Sequence, residues 1–230
     1  MALNARLALV AERAASFYRE HGRTFPWRTE LDCYRLALAE ILLQKTRAQS
    51  ALPIYEILCD SYPTAQALAT AVIGEVEAVL RPLGLSRRRA LQLRGMAEAI
   101  LRLGAPATAD WRVIMAEVPG LGAYSARAIS CFGWGSPVGI VDANVARIVR
   151  RVFRVVPRDP RAVIYQRYAD ELADAASDPR ATNFGLLDIG AAVCRPTPIC
   201  GRCPFASFCP RYDIGTRDSQ PTAKGNAKKG

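Results

Sequence analysis

The chain has 230 residues, half of them apolar, which is enough for a packed core in one large domain or two small ones. Lys and Arg number 31 against 21 Asp and Glu, and the formal net charge of +10 favours a polyanionic partner over a merely basic surface. No apolar run approaches the roughly 20 residues of a membrane-spanning helix and no secretory segment opens the sequence, so we expect a soluble cytoplasmic protein with no membrane partner, nucleoid-associated if bacterial.

Helical periodicity runs through most of the sequence. Leu7, Val10, Ala14 and Phe17 repeat at helical spacing, and Gly22 is placed to end that helix. There is no convincing strand alternation and no internal repeat, so we predict an all-α fold. The predicted helices cover residues 3–20, a second helix from about 32, then 50–60, 64–72, 75–81, 86–103, 110–117, 123–132, one beginning near 142, 159–175 and 182–193.

The second helix carries an acidic residue beside an apolar stripe. Glu40 lies next to Leu36, Ile41 and Leu42 in the sequence pattern. A carboxylate in such a place is costly to bury unless it is paired or has a function. The polar residues 44–47, Gln-Lys-Thr-Arg, follow as a break after this helix.

Three consecutive arginines follow Ser86, which we predict to cap the helix 86–103. Arg87, Arg88 and Arg89 fill the first turn, where cations oppose the helix dipole. A DNA phosphate partner explains them better than stability does, and a solvated charge run is the alternative.

Residues 118–129, Val-Pro-Gly-Leu-Gly-Ala-Tyr-Ser-Ala-Arg-Ala-Ile, read as a tight turn followed by a helix. Pro119, Gly120 and Gly122 let the backbone turn so that amide groups at the helix start point outward together, which makes an anion site. A helix is also predicted before the turn, so the unit is a helix-hairpin-helix, and the basic charge makes DNA phosphate the expected anion.

A short apolar segment, residues 137–141, leads to Asp142 at the next predicted helix start, with Asn144 two residues further on. Asp142 can be an N-cap and can also face a cleft, since these roles are not exclusive.

Four cysteines lie in one loop near the end of the chain: Cys194, Cys200, Cys203 and Cys209. Only Cys200 and Cys203 form a two-residue knuckle, and five residues separate each outer cysteine from it. This spacing favours a [4Fe–4S] cluster, with structural zinc as the alternative. Cys33, Cys59 and Cys131 are most simply buried thiols, and residues 215–230 should form a disordered basic tail.

Val118-Pro-Gly-Leu-Gly122, Val-Asp142-Ala-Asn144 and the four-cysteine loop together resemble the helix-hairpin-helix DNA glycosylases of the endonuclease III superfamily, over about residues 20–210. The resemblance implies two helical lobes with a DNA-binding cleft between them. The six-helix lobe would span 28–135 and contain the hairpin, and the iron–sulfur cluster lobe would combine 1–27 with 136–210. The implied partner of this monomer is double-stranded DNA with a mismatched or damaged base, flipped into the cleft.

The resemblance also implies roles for individual residues. Endonuclease III has a lysine where this chain has Tyr124, so the implied enzyme is monofunctional: it hydrolyses the N-glycosidic bond and leaves an abasic site. Asp142 would stabilise the positively charged sugar and Glu40 would act as acid or base, while Tyr124 and Asn144 orient them.

The implied DNA contacts lie on three loops. The amides of Gly120 and Gly122 would hold a phosphate, with a monovalent cation as a further ligand at the hairpin. Gln44, Lys45 and Leu85 would fill the gap left by the flipped nucleotide; for Leu85, core packing is the alternative.

Two branches of the superfamily share Tyr at this position, the MutY-type adenine glycosylases and the MIG-type enzymes that remove T or U opposite G. Residues 84–90, Gly-Leu-Ser-Arg-Arg-Arg-Ala, are similar to the MIG-type pattern, and the chain ends soon after Cys209, before the extra domain of MutY-type enzymes. Gln44 and Thr46 are instead similar to the wedge of MutY-type enzymes, the residues that fill the gap left by the flipped nucleotide. We expect T or U opposite G as the substrate, with adenine opposite G or oxidised G as the alternative. A strand-cleaving lyase using Lys45 and a non-catalytic DNA-binding module rank below these.

One departure from the superfamily concerns the cysteine loop, where the spacing between the first two cysteines is usually six residues. Here five residues separate Cys194 from Cys200, and two of them are prolines. A shorter path of the loop would accommodate this difference, and it does not favour zinc.

Overall fold

The computed structural model describes residues 2–104 and 110–211, and the predicted tail at 215–230 lies outside these ranges. In the described ranges, regular structure consists of α-helices and short 3₁₀ turns, without strands, which confirms the all-α prediction. No helix there is long and apolar enough to cross a membrane. The helices are α1 Leu3–His21, α2 Cys33–Leu43, α3 Ala48–Ser61, α4 Ala65–Ala69, α5 Ile73–Leu80, α6 Ser86–Leu103, α7 Trp111–Glu117, α8 Ala123–Trp134, α9 Ala143–Phe153, α10 Val163–Asp174 and α11 Pro179–Ala192.

Five of the eleven helices in the described ranges begin with side-chain capping, in which a short polar side chain accepts hydrogen bonds from the first backbone amides. The capping residues are Asp32, Thr64, Asp110, Asp142 and Asp178.

The predicted cap at Ser86 is wrong, because Ser86 is already helical and Leu85 occupies the N-cap position with φ 53°. The Ser86 hydroxyl lies 3.5 Å from the Glu77 carboxylate instead. Other boundaries differ by a few residues. The largest difference is at α10, where residues 159–162 close a turn before the helix, with the Ala162 amide bonded to the Asp159 carbonyl.

The buried apolar side chains form two clusters. The larger cluster is built mainly from helices α2–α8, and also includes Phe184 of α11. The smaller cluster joins α1 to α9, α10, α11 and the cysteine loop, with Val10, Val149 and Phe205 among its members. The lobe boundaries implied by the resemblance stay a prediction.

A glycine allows α1 and α11 to meet closely. A Cβ atom at Gly185 would lie 1.9 Å from the Ala14 carbonyl oxygen, so only glycine fits this crossing. The N-terminal helix is therefore held against the C-terminal part of the chain, beside the pocket described next.

Candidate active site

A pocket of about 290 Å³ is lined by residues from α2, α8, the start of α9, α11 and the turn at 25–28. Glu40, Tyr124, Asp142 and Asn144, the four predicted catalytic residues, all line it. They belong to α2, α8 and the start of α9. About a hundred residues of sequence lie between the first and the last of them, and folding brings them together. The remaining wall is largely apolar, with Leu36, Phe132, Phe184 and Leu187 among its members.

Glu40 lies on the pocket-facing side of α2. Burial raises the pKa of its carboxyl to about 7, and a hydrogen bond with Ser125 opposes part of that rise. A carboxyl group with a pKa near neutrality can both give and take a proton at neutral pH. Sequence reasoning missed Ser125, whose side chain is buried in the first turn of α8.

Asp142 is both an N-cap and a pocket-lining residue. Its Oδ1 accepts from the backbone amides of Asn144 and Val145, each at 2.8 Å. Its Oδ2 accepts from Nδ2 of Asn144, also at 2.8 Å. The helix start thus fixes the carboxylate while one face of it remains part of the pocket wall.

The segment before Asp142 is held by a buried asparagine of α11. Asn183 accepts from the Ile140 amide at 3.0 Å and donates to the Val138 carbonyl at 3.1 Å. These bonds set the path of the backbone into Asp142. The sequence offered no local signal for this role, because Asn183 lies 43 residues away from Ile140.

Behind Asn144, a chain of hydrogen bonds reaches the cysteine loop. Arg147 Nη2 donates to Asn144 Oδ1 at 2.6 Å, and Arg147 Nε donates to the Cys194 carbonyl at 2.6 Å. Arg147 Nη2 also donates to the Gly190 carbonyl at 2.8 Å. One turn further along α9, Arg151 Nη1 lies 3.2 Å from Cys194 Sγ. The position of Asn144 is therefore coupled to the loop that holds the cysteines.

Tyr124 stands in the first turn of α8 with 40 % of its surface exposed. Burial of the phenol group, and then the carboxylates of Glu40 and Asp142, raise the pKa of Tyr124 above its ordinary value. The phenol therefore keeps its proton and can donate a hydrogen bond beside the two acids.

A buried ion pair forms another part of the pocket wall. Arg28 donates through Nη1 and Nη2 to the Asp188 carboxylate at 2.8 and 2.9 Å, and Arg23 Nε adds a third bond at 2.7 Å. The Arg28 guanidinium lies 4.5 Å from the ring centre of Phe184, which itself stacks on Phe132 at 3.8 Å. These groups give the pocket a rigid, mixed polar and aromatic side.

Residues 38–173 match the HhH-GPD superfamily of base excision DNA repair proteins. The chain belongs to this superfamily.

Relatives of this HhH-GPD protein include two groups of glycosylases. The thymine-DNA glycosylase of Aeropyrum pernix is 30 % identical over 231 residues, which cover 90 % of this chain and 96 % of that enzyme. The adenine DNA glycosylase of Homo sapiens is 35 % identical over 209 residues, which cover 84 % of this chain. The chain spans only 38 % of the human enzyme and 40 % of the enzyme of Rattus norvegicus.

Among solved structures, a thermostable thymine-DNA glycosylase superposes with a TM-score of 0.82 at 26 % identity, covering 93 % of this chain and all (100 %) of the other. A trapped endonuclease III–DNA covalent intermediate gives a TM-score of 0.74 at 18 % identity, covering 94 % of this chain and 100 % of that one, and shares the fold.

The hairpin of the HhH-GPD protein is open to solvent at its two glycines. Gly120 has φ 81°, a conformation that favours glycine, and Gly122 is the N-cap of α8. Gln44 Nε2 donates to the Gly120 carbonyl at 2.8 Å, so the hairpin contacts the loop after α2. A monovalent cation at the hairpin stays a prediction of the resemblance.

The other predicted DNA contacts differ in exposure. Lys45 and Leu85 are exposed, and both have left-handed backbones, with φ 56° and 53°. Arg87 and Arg88 are also exposed, and Arg87 lies 3.5 Å from Glu77. The predicted phosphate contact of Arg89 is wrong. The residue is only 5 % exposed and donates its N–H groups to acceptors within the protein, so it is unavailable to a phosphate.

The cysteine loop packs on the smaller core cluster. Burial, and the nearby thiols of Cys194, Cys209 and Cys200, raise the pKa of the Cys203 thiol to about 11, so the four side chains are neighbours. Across the described ranges, no group of three or more His, Cys, Asp or Glu side chains is arranged to hold a metal ion.

Proposed function

We propose that this HhH-GPD protein is a monofunctional DNA glycosylase that hydrolyses the N-glycosidic bond of T or U opposite G in double-stranded DNA. The observation that carries the proposal is the meeting of Glu40, Tyr124, Asp142 and Asn144 in one pocket. Paired carboxyl groups in different environments suit the cleavage of a bond to a sugar.

Cleavage of this bond leaves positive charge on the sugar and negative charge on the departing base. Asp142 is fixed by three hydrogen bonds before substrate arrives, so it can stabilise the sugar cation with no reorganisation. Glu40, with a pKa of about 7, can protonate the departing base or accept a proton from the attacking water. Tyr124 keeps its proton, so its phenol can donate a hydrogen bond that orients the acids.

A hydrolytic mechanism is favoured over strand cleavage. A lyase needs an amine that attacks the sugar. The described residues that line the pocket include no lysine, and Lys45 is exposed on the loop outside that lining. The product is therefore an intact strand with an abasic site.

T or U opposite G is supported by similarity along nearly the whole length of the archaeal thymine-DNA glycosylase. Residues 84–90 support the same branch. Adenine opposite G or oxidised G is the second candidate. The identity to the human adenine DNA glycosylase favours it, as does Thr46, which lines the pocket and belongs to the MutY-like Gln44–Thr46 pattern.

The basic surface and the hairpin would hold the duplex. The amides near Gly120 and Gly122 are placed for one phosphate, and the exposed side chains of Arg87, Arg88 and Lys45 add positive charge. Duplex DNA is the proposed partner, bound by a monomer.

The four cysteines would hold a [4Fe–4S] cluster. Only Cys200 and Cys203 form a two-residue knuckle, and five residues separate each outer cysteine from it. Structural zinc sites usually use paired knuckles, so this spacing supports the cluster over zinc. When bound, the cluster would cross-link the loop beside Arg147 and Arg151.

Single-turnover assays on duplexes that differ in one pair test the proposal. The pairs are T:G, U:G, A:G and A opposite oxidised G, with alkali added only after the reaction. We expect base release from T:G and U:G, with strand breaks only after alkali and no borohydride-trapped complex. Release of adenine alone would move the protein to the second candidate, and release from none would contradict a mismatch glycosylase.

A further inference from the structure

Arg89 is a buried arginine whose hydrogen bonds all go to uncharged oxygen atoms. Nη1 donates to the Leu42 carbonyl at 2.9 Å, and Nη2 donates to the Gln44 carbonyl at 2.9 Å and to the Thr46 hydroxyl at 2.8 Å. Burial lowers the pKa of this guanidinium. A buried charge is costly, so its three specific contacts point to a role.

The acceptors of Arg89 belong to the end of α2 and to residues 44–47, here called the wedge loop. The last carbonyls of a helix lack partners within the helix and carry the negative end of its dipole. Arg89 satisfies one of them, the Leu42 carbonyl. It also binds the residues on either side of Lys45, through the Gln44 carbonyl and the Thr46 hydroxyl. Lys45 itself has a left-handed backbone with φ 56°. A side chain of α6 thus adds two bonds to those that the wedge loop makes with the end of α2 and with Gly120.

Arg89 is also hydrogen-bonded to Leu85, another residue predicted to fill the gap left by the flipped nucleotide. Its backbone amide donates to the Leu85 carbonyl at 3.0 Å, at the start of α6. Lys45 and Leu85 are both exposed residues with left-handed backbones. This bond is the first i→i−4 bond of α6, so the helix fixes Arg89 relative to Leu85, and the Arg89 side chain then joins that helix start to the wedge loop.

We propose that Arg89 is a positioning residue that fixes the separation of Lys45 and Leu85, so that both enter the gap left by the flipped nucleotide. The inference rests on the proposed glycosylase function. Its neighbour Arg88 is exposed and suits a phosphate contact. The two arginines therefore have different tasks, although they are adjacent in sequence.

A planar guanidinium suits this task and an ammonium does not. Arg89 bridges three acceptors in fixed directions, whereas a lysine concentrates its donors at one point and cannot reach all three. Arg89→Lys is therefore expected to impair base flipping although it keeps the charge.

The test compares Arg89→Lys and Arg89→Gln with Arg88→Gln, which removes a proposed phosphate contact, and with the exposed control Arg13→Gln. We would measure single-turnover base release at saturating enzyme, the fluorescence of 2-aminopurine beside the target base, and the salt dependence of binding to an undamaged duplex. Both Arg89 variants should release base roughly 100-fold more slowly and flip less, with an unchanged salt slope. Arg88→Gln should lower the salt slope by about one, whereas Arg13→Gln, at an exposed position of α1, should change neither the salt slope nor the saturated rate.

A fall in salt slope for the Arg89 variants would overturn the proposal, and so would a wild-type rate of base release. If Arg89→Gln does not fold, a double-mutant cycle of Arg89→Lys with Thr46→Val keeps the test: the proposal expects strongly non-additive losses of rate, and additive losses would overturn it. Wild-type protein that releases no base from any duplex would contradict the proposed function itself, whereas an active wild type with unaffected Arg89 variants would contradict this inference alone.

Discussion

Asn144 donates its side-chain amide to Oδ2 of Asp142 at 2.8 Å, while the other carboxylate oxygen is held by backbone amides of α9. Both oxygens of the proposed catalytic carboxylate are thus held from the protein side. The same asparagine accepts from Arg147 through Oδ1, which fixes the amide in the orientation that presents Nδ2 to Asp142. Asn144 therefore acts as an orienting group.

Asn144→Ala should slow base release while leaving DNA binding nearly unchanged. A hydrogen bond to a charged group contributes about 1.5–3 kcal/mol, so we expect roughly a 10- to 100-fold loss in the single-turnover rate. Asn4→Ala, at an exposed position of α1, is the matched control and should have no effect. A wild-type rate in Asn144→Ala would show that Asp142 does not depend on this bond.

The raised pKa of Glu40 predicts that folding stability depends on pH. Its folded pKa of about 7 lies above the ordinary value of 4.5, so the folded state holds the proton more tightly. The resulting stabilisation is fully present below pH 4.5 and is lost as the pH rises to about 7. Relative to Glu40→Gln, the wild type should lose up to roughly 3 kcal/mol of unfolding free energy across that range.

Denaturant unfolding of the wild type and Glu40→Gln at several pH values measures this difference, because other titrating groups cancel between the two proteins. Glu98→Gln, at an exposed position of α6, is the control and should parallel the wild type. Parallel curves for Glu40→Gln would contradict the raised pKa of Glu40.

The parts of the fold that the sequence predicted are those with local signals. Aspartates at positions 32, 110 and 142 cap the helices that follow them, and the hairpin glycines mark the turn before α8. The sequence pattern itself marked Glu40 and Asp142, but Tyr124, Asn144 and the roles of all four pocket residues came only from the resemblance to known enzymes. Arg89 shows the limit of local reading: its helical neighbours Ala90 and Leu93 are both buried, so the apolar face of α6 includes position 89, but a run of three arginines looks uniformly solvated.

Contacts between distant segments could not be predicted in the same way. The Arg28–Asp188 pair joins residues 160 apart in sequence, and Arg147 meets the carbonyl of a residue 47 positions later. None of Arg28, Asp188 and Arg147 lies in a local sequence pattern that distinguishes it from a charged residue at the surface. Their burial depends on how α9, α11 and the turn at 25–28 pack together.

The Arg28–Asp188 pair should be far more important to stability than an exposed pair. Arg28→Met leaves the Asp188 carboxylate buried with only Arg23 beside it, and breaking a buried pair in this way costs about 3–5 kcal/mol. The exposed pair Arg19–Asp178 provides the control, since Arg19→Met should cost at most about 1 kcal/mol. Equal losses of unfolding free energy in the two variants would contradict the burial of the pocket wall.

Arg147→Gln should lower both stability and activity. The Gly190 carbonyl would lose its Arg147 donor, and the Cys194 carbonyl would keep only the longer bond from Arg151 at 3.4 Å. An unsatisfied buried group costs about 1–3 kcal/mol, which corresponds to a fall in Tm of roughly 2–12 °C. Arg158→Gln, at an exposed position, should leave Tm unchanged. If base release in Arg147→Gln stayed at the wild-type rate, the connection from the cysteine loop to Asn144 would have no effect on the site.

We propose that the fixed carboxylate of Asp142 drives hydrolysis in this pocket. The most direct test of this proposal is single-turnover release of thymine from a T:G duplex by Asp142→Asn beside the wild type, with DNA affinity measured in parallel. We predict release by the wild type, a loss of at least roughly 1,000-fold in the variant, and affinity within a few-fold of the wild type. Unchanged release by Asp142→Asn would show that this carboxylate does not drive hydrolysis.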